Sequence, residues 1–175
     1  MWIALAIVGG LAALVAVVAL VGLLLPRGHV ATCAVRVPQP PQTVWDVLAD
    51  HAAWPAWAPG VKSMERDGER DGRPVWRMVS RQGAMPWVIE VDDAPRRRVT
   101  RIVDDGLAFG GTWTWTIEAD GAGSRVTLTE DGFIRNPAFR TIARFAFGHH
   151  ATLTSFLRAL ARRTGDADAP VERLL

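Results

Sequence analysis

For about seventy residues, from Val61 to Phe133, apolar side chains recur at every second position in six short runs separated by turn-forming residues. The runs are Val61 to Arg66, Val75 to Arg81, Met85 to Asp92, Arg97 to Val103, Thr112 to Ala119 and Arg125 to Phe133. Between them stand Asp67-Gly68, Asp71-Gly72, Gly83, Asp93-Ala94-Pro95, Asp105-Gly106, Gly110-Gly111 and Asp120 to Gly123. A period of two belongs to strands, whose successive side chains face opposite sides of a sheet. Joints this short allow only antiparallel neighbours, because a parallel return needs a crossover of about a dozen residues or more. The stretch therefore predicts an antiparallel meander. Val30 to Val37 predicts one more strand, with Ala31, Cys33, Val35 and Val37 on one face and Thr32 and Arg36 on the other.

The amino terminus is of another kind. Met1 to Leu25 carries no charged side chain, and a helix of that length at about 1.5 Å per residue extends roughly 37 Å, against about 30 Å of bilayer hydrocarbon. It predicts a transmembrane anchor. No Lys or Arg precedes Arg27 and the apolar run is long, which argues against a cleaved signal peptide. Arg27 and Arg36 follow the span, so the positive-inside rule leans toward a cytoplasmic domain. Small residues four apart (Ala6 and Gly10, Gly9 and Ala13, Ala12 and Ala16) allow a weak dimer through the anchor. Pro26 to Gly28 is a short linker, which puts the folded part close to the membrane.

Between the first strand and the meander lies VWDVLADHAAWPAWAPGV, Val44 to Val61. Val44, Trp45 and Leu48 form one apolar helical face, with Pro41 at the first turn. Trp54-Pro55 and Trp57-Ala58-Pro59-Gly60 then force turns, since the residue before a proline is pushed out of helical space. At the other end Asn136 predicts an N-cap and Pro137 a first helical residue. Phe139, Ile142, Ala146, Leu153, Leu157 and Leu160 recur at helical spacing, and Gly165 is a stop. The expectation is one long helix, in which Gly148 permits a bend, followed by a flexible tail, 166–175.

The V-W-x-x-L-x-D-x-x-x-W-P-x-W run from Val44 to Trp57 resembles the START-like, or SRPBCC, superfamily, which includes polyketide cyclase/dehydrase-like and lipid-transfer proteins. The order strand, short helical segments, six strands, long helix is that of its helix-grip fold. Thr129 to Arg144, TEDGFIRNPAFRTIAR, is similar to the stretch joining sheet and helix in membrane-anchored members. The resemblance implies an α+β fold over 29–165, a curved antiparallel sheet of about seven strands wrapped around the carboxy-terminal helix. It also implies a cavity between sheet and helix for a hydrophobic small molecule or lipid.

From the residues alone, the large side chains on the inner face either fill a core or line a pocket. Trp76, Met78, Met85, Trp87, Ile89, Trp113, Trp115 and Ile117 alternate along the meander. Of these, Trp76, Met78, Trp87, Ile89, Trp113 and Trp115 are the candidate ligand contacts, together with Trp54, Trp57, Phe139, Ile142, Ala146 and Leu153. His149 and His150 flank the helical stripe, and alternation from Val126 and Leu128 carries Glu130 onto the apolar face. These three are candidates for holding a polar head or for acid–base chemistry; a structural histidine bonded to backbone is the other reading. Asp50 is read as a cap of the tryptophan turn or a residue at a pocket mouth.

Several classes are disfavoured. The sequence has no metalloprotease, phosphate-loop, nucleophile-elbow or dinucleotide motif. Four scattered His and one Cys predict neither a metal site nor a cofactor. With formal charge +2 and Arg mostly interleaved with Asp and Glu, nucleic acid is a poor partner. The one local cluster, Arg96, Arg97, Arg98 and Arg101, reads as a solvated strand end or a face toward anionic headgroups. Cys33, alone, forbids an intramolecular disulfide and is read as a small core residue. Three functions stay open: a membrane-anchored ligand-binding domain, a cyclase or dehydratase acting on an apolar substrate, and an assembly factor with a filled core.

Overall fold

The computed structural model describes residues 1–81 and 83–174. An apolar helix α1 (Trp2–Leu24) precedes strand β1 (Gly28–Val37). Helix α2 (Pro41–Ala49), a 3-10 turn (His51–Ala53) and the single turn α3 (Trp54–Trp57) follow. The meander is β2 (Val61–Arg70), β3 (Arg73–Ser80), β4 (Gly83–Asp93), β5 (Arg97–Ile102), β6 (Phe109–Asp120) and β7 (Gly123–Ile134). The carboxy-terminal part comprises α4 (Pro137–Ile142), a π turn (Ala143–Phe147), α5 (His150–Arg163) and a short β8 (Val171–Arg173).

All strands lie in one antiparallel sheet, ordered β2-β3-β4-β5-β6-β7-β1-β8. The turn signals work as expected: Asp71 (φ 53) and Gly72 (φ 72) close the β2–β3 hairpin between paired Arg70 and Arg73, the positive-φ pair that matches strand twist. β1 runs antiparallel to β7, from Gly28 opposite Phe133 to Val37 opposite Ser124. The chain is thus the expected α+β helix-grip fold, and two details differ from the sequence reading. Residues 166–174 are not a loose tail: Val171 to Arg173 pair with β1, and Arg125 reaches Glu172 at 2.7 Å. An open edge with unpaired backbone groups recruits the chain that follows. Leu175, the last residue of the expected tail, lies outside the described residues.

The long helix is also broken. Asn136 caps the Phe139 N–H at 3.0 Å as its position predicts, but Gly148 takes φ 72, ψ 151 and ends the first segment. That conformation favours glycine, so the break is written into the chain at this one residue. Its consequence is that the two halves of the stripe do not share a face. Leu153, Leu157 and Leu160 are fully buried, whereas Phe139 and Ile142 are exposed, and Ala146 is exposed as well.

The core sits where α5 and α2 cross the concave face. Val35, Val44, Leu48, Trp115, Ile117, Val126, Leu128, Leu153 and Leu157 pack there at 2 % exposure or less. Cys33 is part of it, its sulfur 3.7 Å from the Thr154 hydroxyl, a small core residue as read. α1 lies outside this core. It is long and apolar enough to cross a membrane or to serve as a signal sequence, and its main contact with the domain is that of its last turns with α4.

Candidate functional site

Between the far half of the sheet and the carboxy-terminal helical segments lies a cavity of about 680 Å³, within the range of about 300 to 1,000 Å³ typical of small-molecule sites. Trp87, Trp113, Trp115, Met78, Trp54 and Phe156 supply much of its wall. Trp113 meets Phe156 edge-on at 5.0 Å, and Trp54 is oriented by an indole N–H bond to the Leu48 carbonyl, 3.2 Å. The lining residues exposed to solvent are Phe139, Gly148, Ala151 and Thr152 on the helical side and Gly60, Arg81, Gly83 and Ala84 opposite them, which marks the mouth.

Set into this apolar wall is a polar cluster. Glu130 on β7 uses both carboxyl oxygens: the His29 ring lies 2.8 Å from Oε1, and the Trp113 indole N–H donates to Oε2 at 2.9 Å. His149 stacks on His29, ring centroids 3.9 Å apart and 18° from parallel. All four side chains line the cavity. Burial, and then the neighbouring His29, hold the His149 imidazole below its ordinary pKa, so the neutral ring is the favoured form. The local chain explains the geometry. His29 and Ala31 share a face of β1, and Ala31 stands opposite Glu130 while His29 stands opposite Gly132. A Cβ on Gly132 would run into the His29 ring, so the glycine makes room for the imidazole.

A second polar group lies deeper. Arg98, 5 % exposed, donates to Asp92 at 2.8 Å and to the Leu48 carbonyl at 3.3 Å and stacks on Trp45 at 4.5 Å. His51, 3.5 Å from it, is enclosed by the rings of Trp54, Trp76 and Trp87. Burial, and then the Arg98 charge, lower the His51 pKa to about 4. The unfolded chain then takes up this proton first as pH falls. Stability is full above about pH 6.5 and is lost between there and pH 4, on the order of 3 kcal/mol in all. The melting temperature of the full chain in detergent should fall over that window, and His51→Gln should flatten the dependence. An equally steep profile in the variant would assign the loss to other groups.

The structure sorts the expected site residues. Trp54, Met78, Trp87, Trp113, Trp115, Phe139, His149 and Glu130 line the cavity. Trp57, Trp76, Ile89, Ile142, Ala146, His150 and Leu153 do not. Leu153 belongs to the core because it follows the break at Gly148, and Ile142 and Ala146 face outward for the same reason. Trp76 stands behind His51, and Trp57 borders a separate hollow of about 250 Å³ with Asp50 and Arg163. Asp50 caps the turn, accepting from the Ala53 N–H at 3.3 Å. Arg98 is no solvated strand end: alternation turns it inward with Thr100 and Ile102. Sequence reasoning missed His29, His51 and Arg98. The signal for His29 was present, since extending the Ala31, Cys33, Val35 face back by two residues reaches it. Among the described residues no group of His, Cys, Asp and Glu is placed to hold a metal ion.

Comparison with known proteins gives the same fold. The di-domain ARO/CYC BexL from the BE-7585A biosynthetic pathway is 16% identical with a TM-score of 0.64, covering 79% of this chain and 50% of that one, so the chain spans half of its length. The ZhuI aromatase/cyclase from Streptomyces sp. R1128 is 18% identical, TM-score 0.61, covering 78% of this chain and 93% of that one. A START superfamily protein from Mycobacterium smegmatis is 19% identical, TM-score 0.61, with 78% and 97% covered. These likenesses show the fold. A search of curated protein sequences gave no match. Residues 29–165 match the family model described as polyketide cyclase / dehydrase and lipid transport, and the chain belongs to that family.

Proposed function

We propose that the chain is a membrane-anchored domain that binds a hydrophobic small molecule or lipid in the cavity, with the polar end of the ligand at the His29, Glu130 and His149 cluster. The observation that carries this reading is the pairing of an apolar wall with one satisfied polar cluster. Apolar area supplies affinity, and a few placed polar groups orient the ligand. Both oxygens of Glu130 are engaged, so its part is to hold His29 and Trp113, while the neutral His149 ring offers a bond to a ligand hydroxyl or carbonyl. α1 as an anchor fits such a ligand, since a tethered pocket meets a membrane-dissolved molecule at high effective concentration.

The test is native mass spectrometry of the full chain, purified in mild detergent from its own membranes, followed by organic extraction. A stoichiometric apolar molecule is expected, lost in Ala151→Trp, which fills the mouth. A clean apo mass for the wild type would count against the reading and favour the assembly factor. A second reading, a cyclase or dehydratase, is favoured by one feature: a carboxyl–imidazole pair beside a second imidazole is an acid–base arrangement. It requires that the extracted molecule be converted on incubation with wild type and not with Glu130→Gln. Binding without conversion by either protein removes it.

A further inference from the structure

The contact between α1 and α4 is built, and it bears on how a ligand reaches the cavity. The last carbonyls of a helix have no partner within it and carry the negative end of its dipole. α1 has no basic residue in its last turn. Arg140 of α4, only 5 % exposed, supplies one: it donates to the Gly22 carbonyl at 2.7 Å and to the Leu25 carbonyl at 2.8 Å. Its other nitrogens reach the carbonyls of Ile134 and Arg135, both 3.2 Å away, at the end of β7. The Thr141 hydroxyl donates to the Val18 carbonyl at 2.8 Å, and a Cβ on Gly22 would strike the backbone of Pro137. The linker is pinned too, the Ile134 N–H donating to the Arg27 carbonyl at 2.9 Å.

These bonds fix the depth of α4. Val18 lies six residues before the end of α1, hence about 9 Å along its axis. If α1 spans a bilayer and ends at its surface, α4 crosses it within the outer ~10 Å, the depth of an interfacial helix. The side chains there suit that place: Phe139 and Ile142 are 41 % and 42 % exposed and Phe145 is 70 % exposed. Phe139, Ala143 and Gly148 of the same segment line the helical side of the cavity, and Phe139 and Gly148 stand at its mouth.

We propose that α4 and its π turn lie in the bilayer interface, with Phe145 and Ile142 among the acyl chains. The cavity then opens sideways onto the membrane and draws its ligand from it. This rests on the anchored ligand-binding reading above, and the bilayer is the single partner it names.

The test uses the full chain in vesicles of phosphatidylcholine and phosphatidylglycerol, with a nitrobenzoxadiazole label at Phe145→Cys or at Ala122→Cys. Cys33 is buried and stays unlabelled. Ala122 sits in the β6–β7 turn, at the far end of β1, about 30 Å from Gly28 at strand rise. The label at 145 should emit at shorter wavelength and lose most of its emission to doxyl-labelled lipid, while the label at 122 stays in water. In parallel, Phe145→Asp should slow the uptake of dansylaminoundecanoic acid supplied in vesicles, read by energy transfer from tryptophan, and leave its uptake from water unchanged. A label at 145 as wet as that at 122, or equal vesicle uptake by the two proteins, overturns the inference and leaves the pocket standing. A chain that does not float with vesicles, or a wild type that takes up no probe by either route, counts instead against the anchored ligand-binding reading; in the second case label depth alone still decides where α4 lies.

Discussion

Trp115→Ala should lower the stability of the domain by about 3–5 kcal/mol, the usual cost of emptying a large aromatic site in a packed core. The indole is 2 % exposed, meets Trp113 edge-on at 6.2 Å, and forms both core and cavity wall. Neighbours on the cavity side cannot collapse into the gap, because the space beside them is already empty. For a domain of this size the melting temperature should drop by roughly 6–20 °C, measured by circular dichroism in detergent. Trp2→Ala, at an indole 82 % exposed, should leave it unchanged. A drop at Trp115 no larger than that at Trp2 would mean that the indole does not bridge sheet and helix.

Arg140→Met should free α1 from the domain. It keeps the length of the side chain and removes every donor to the carbonyls of Gly22, Leu25, Ile134 and Arg135. A buried carbonyl left without a partner costs about 1–3 kcal/mol, so a combined loss of roughly 3 kcal/mol or more is expected. Trypsin reads this directly. Arg27 lies in the pinned linker, and cutting there separates α1 from the rest; wild type in detergent should resist and Arg140→Met should be cut rapidly. Arg140→Lys should recover the contact only in part, since a single ammonium cannot reach the carbonyls the planar guanidinium spans. Equal cutting of wild type and Arg140→Met would show that Arg140 does not hold the junction.

Strands were the most legible part of this chain. Each of the predicted runs is present within a few residues, because period two and glycine-bearing turns are local signals that tertiary packing reinforces here. The apolar face of α2 was equally plain, and Val44, Trp45 and Leu48 are its buried residues. The carboxy-terminal helix was half legible. Its stripe continues through Gly148 in the sequence, yet a residue that takes positive φ resets the helical phase, and the pattern of apolar residues does not record which way the chain turns.

The candidate site divides along the same line. Glu130 and Trp113 could be placed inward by alternation, but the meeting of Glu130 with His29 could not be read, since His29 is about a hundred residues away and reaches it only through the register of β1 on β7. Arg98 looked like one member of a basic surface run; alternation alone separates it from Arg97, and only Trp45, Asp92 and the Leu48 carbonyl explain why a charge is held inside.

By itself the sequence determined the kind of molecule: an apolar helix long enough to span a bilayer, an antiparallel meander, an amphipathic helix with a tryptophan turn, and a closing helical segment. Those features depend on local periodicity and backbone preference, which a residue carries wherever it stands. What tertiary structure alone decided is which distant groups meet. The closing of β1 onto β7 brought His29 to the Glu130 and Trp113 pair held by the neighbouring β6 and β7, and the crossing of α4 over α1 made Arg140 a cap for a helix more than a hundred residues earlier. Contacts of that range depend on strand register and on how helices cross, and neither is written in the spacing of any single segment.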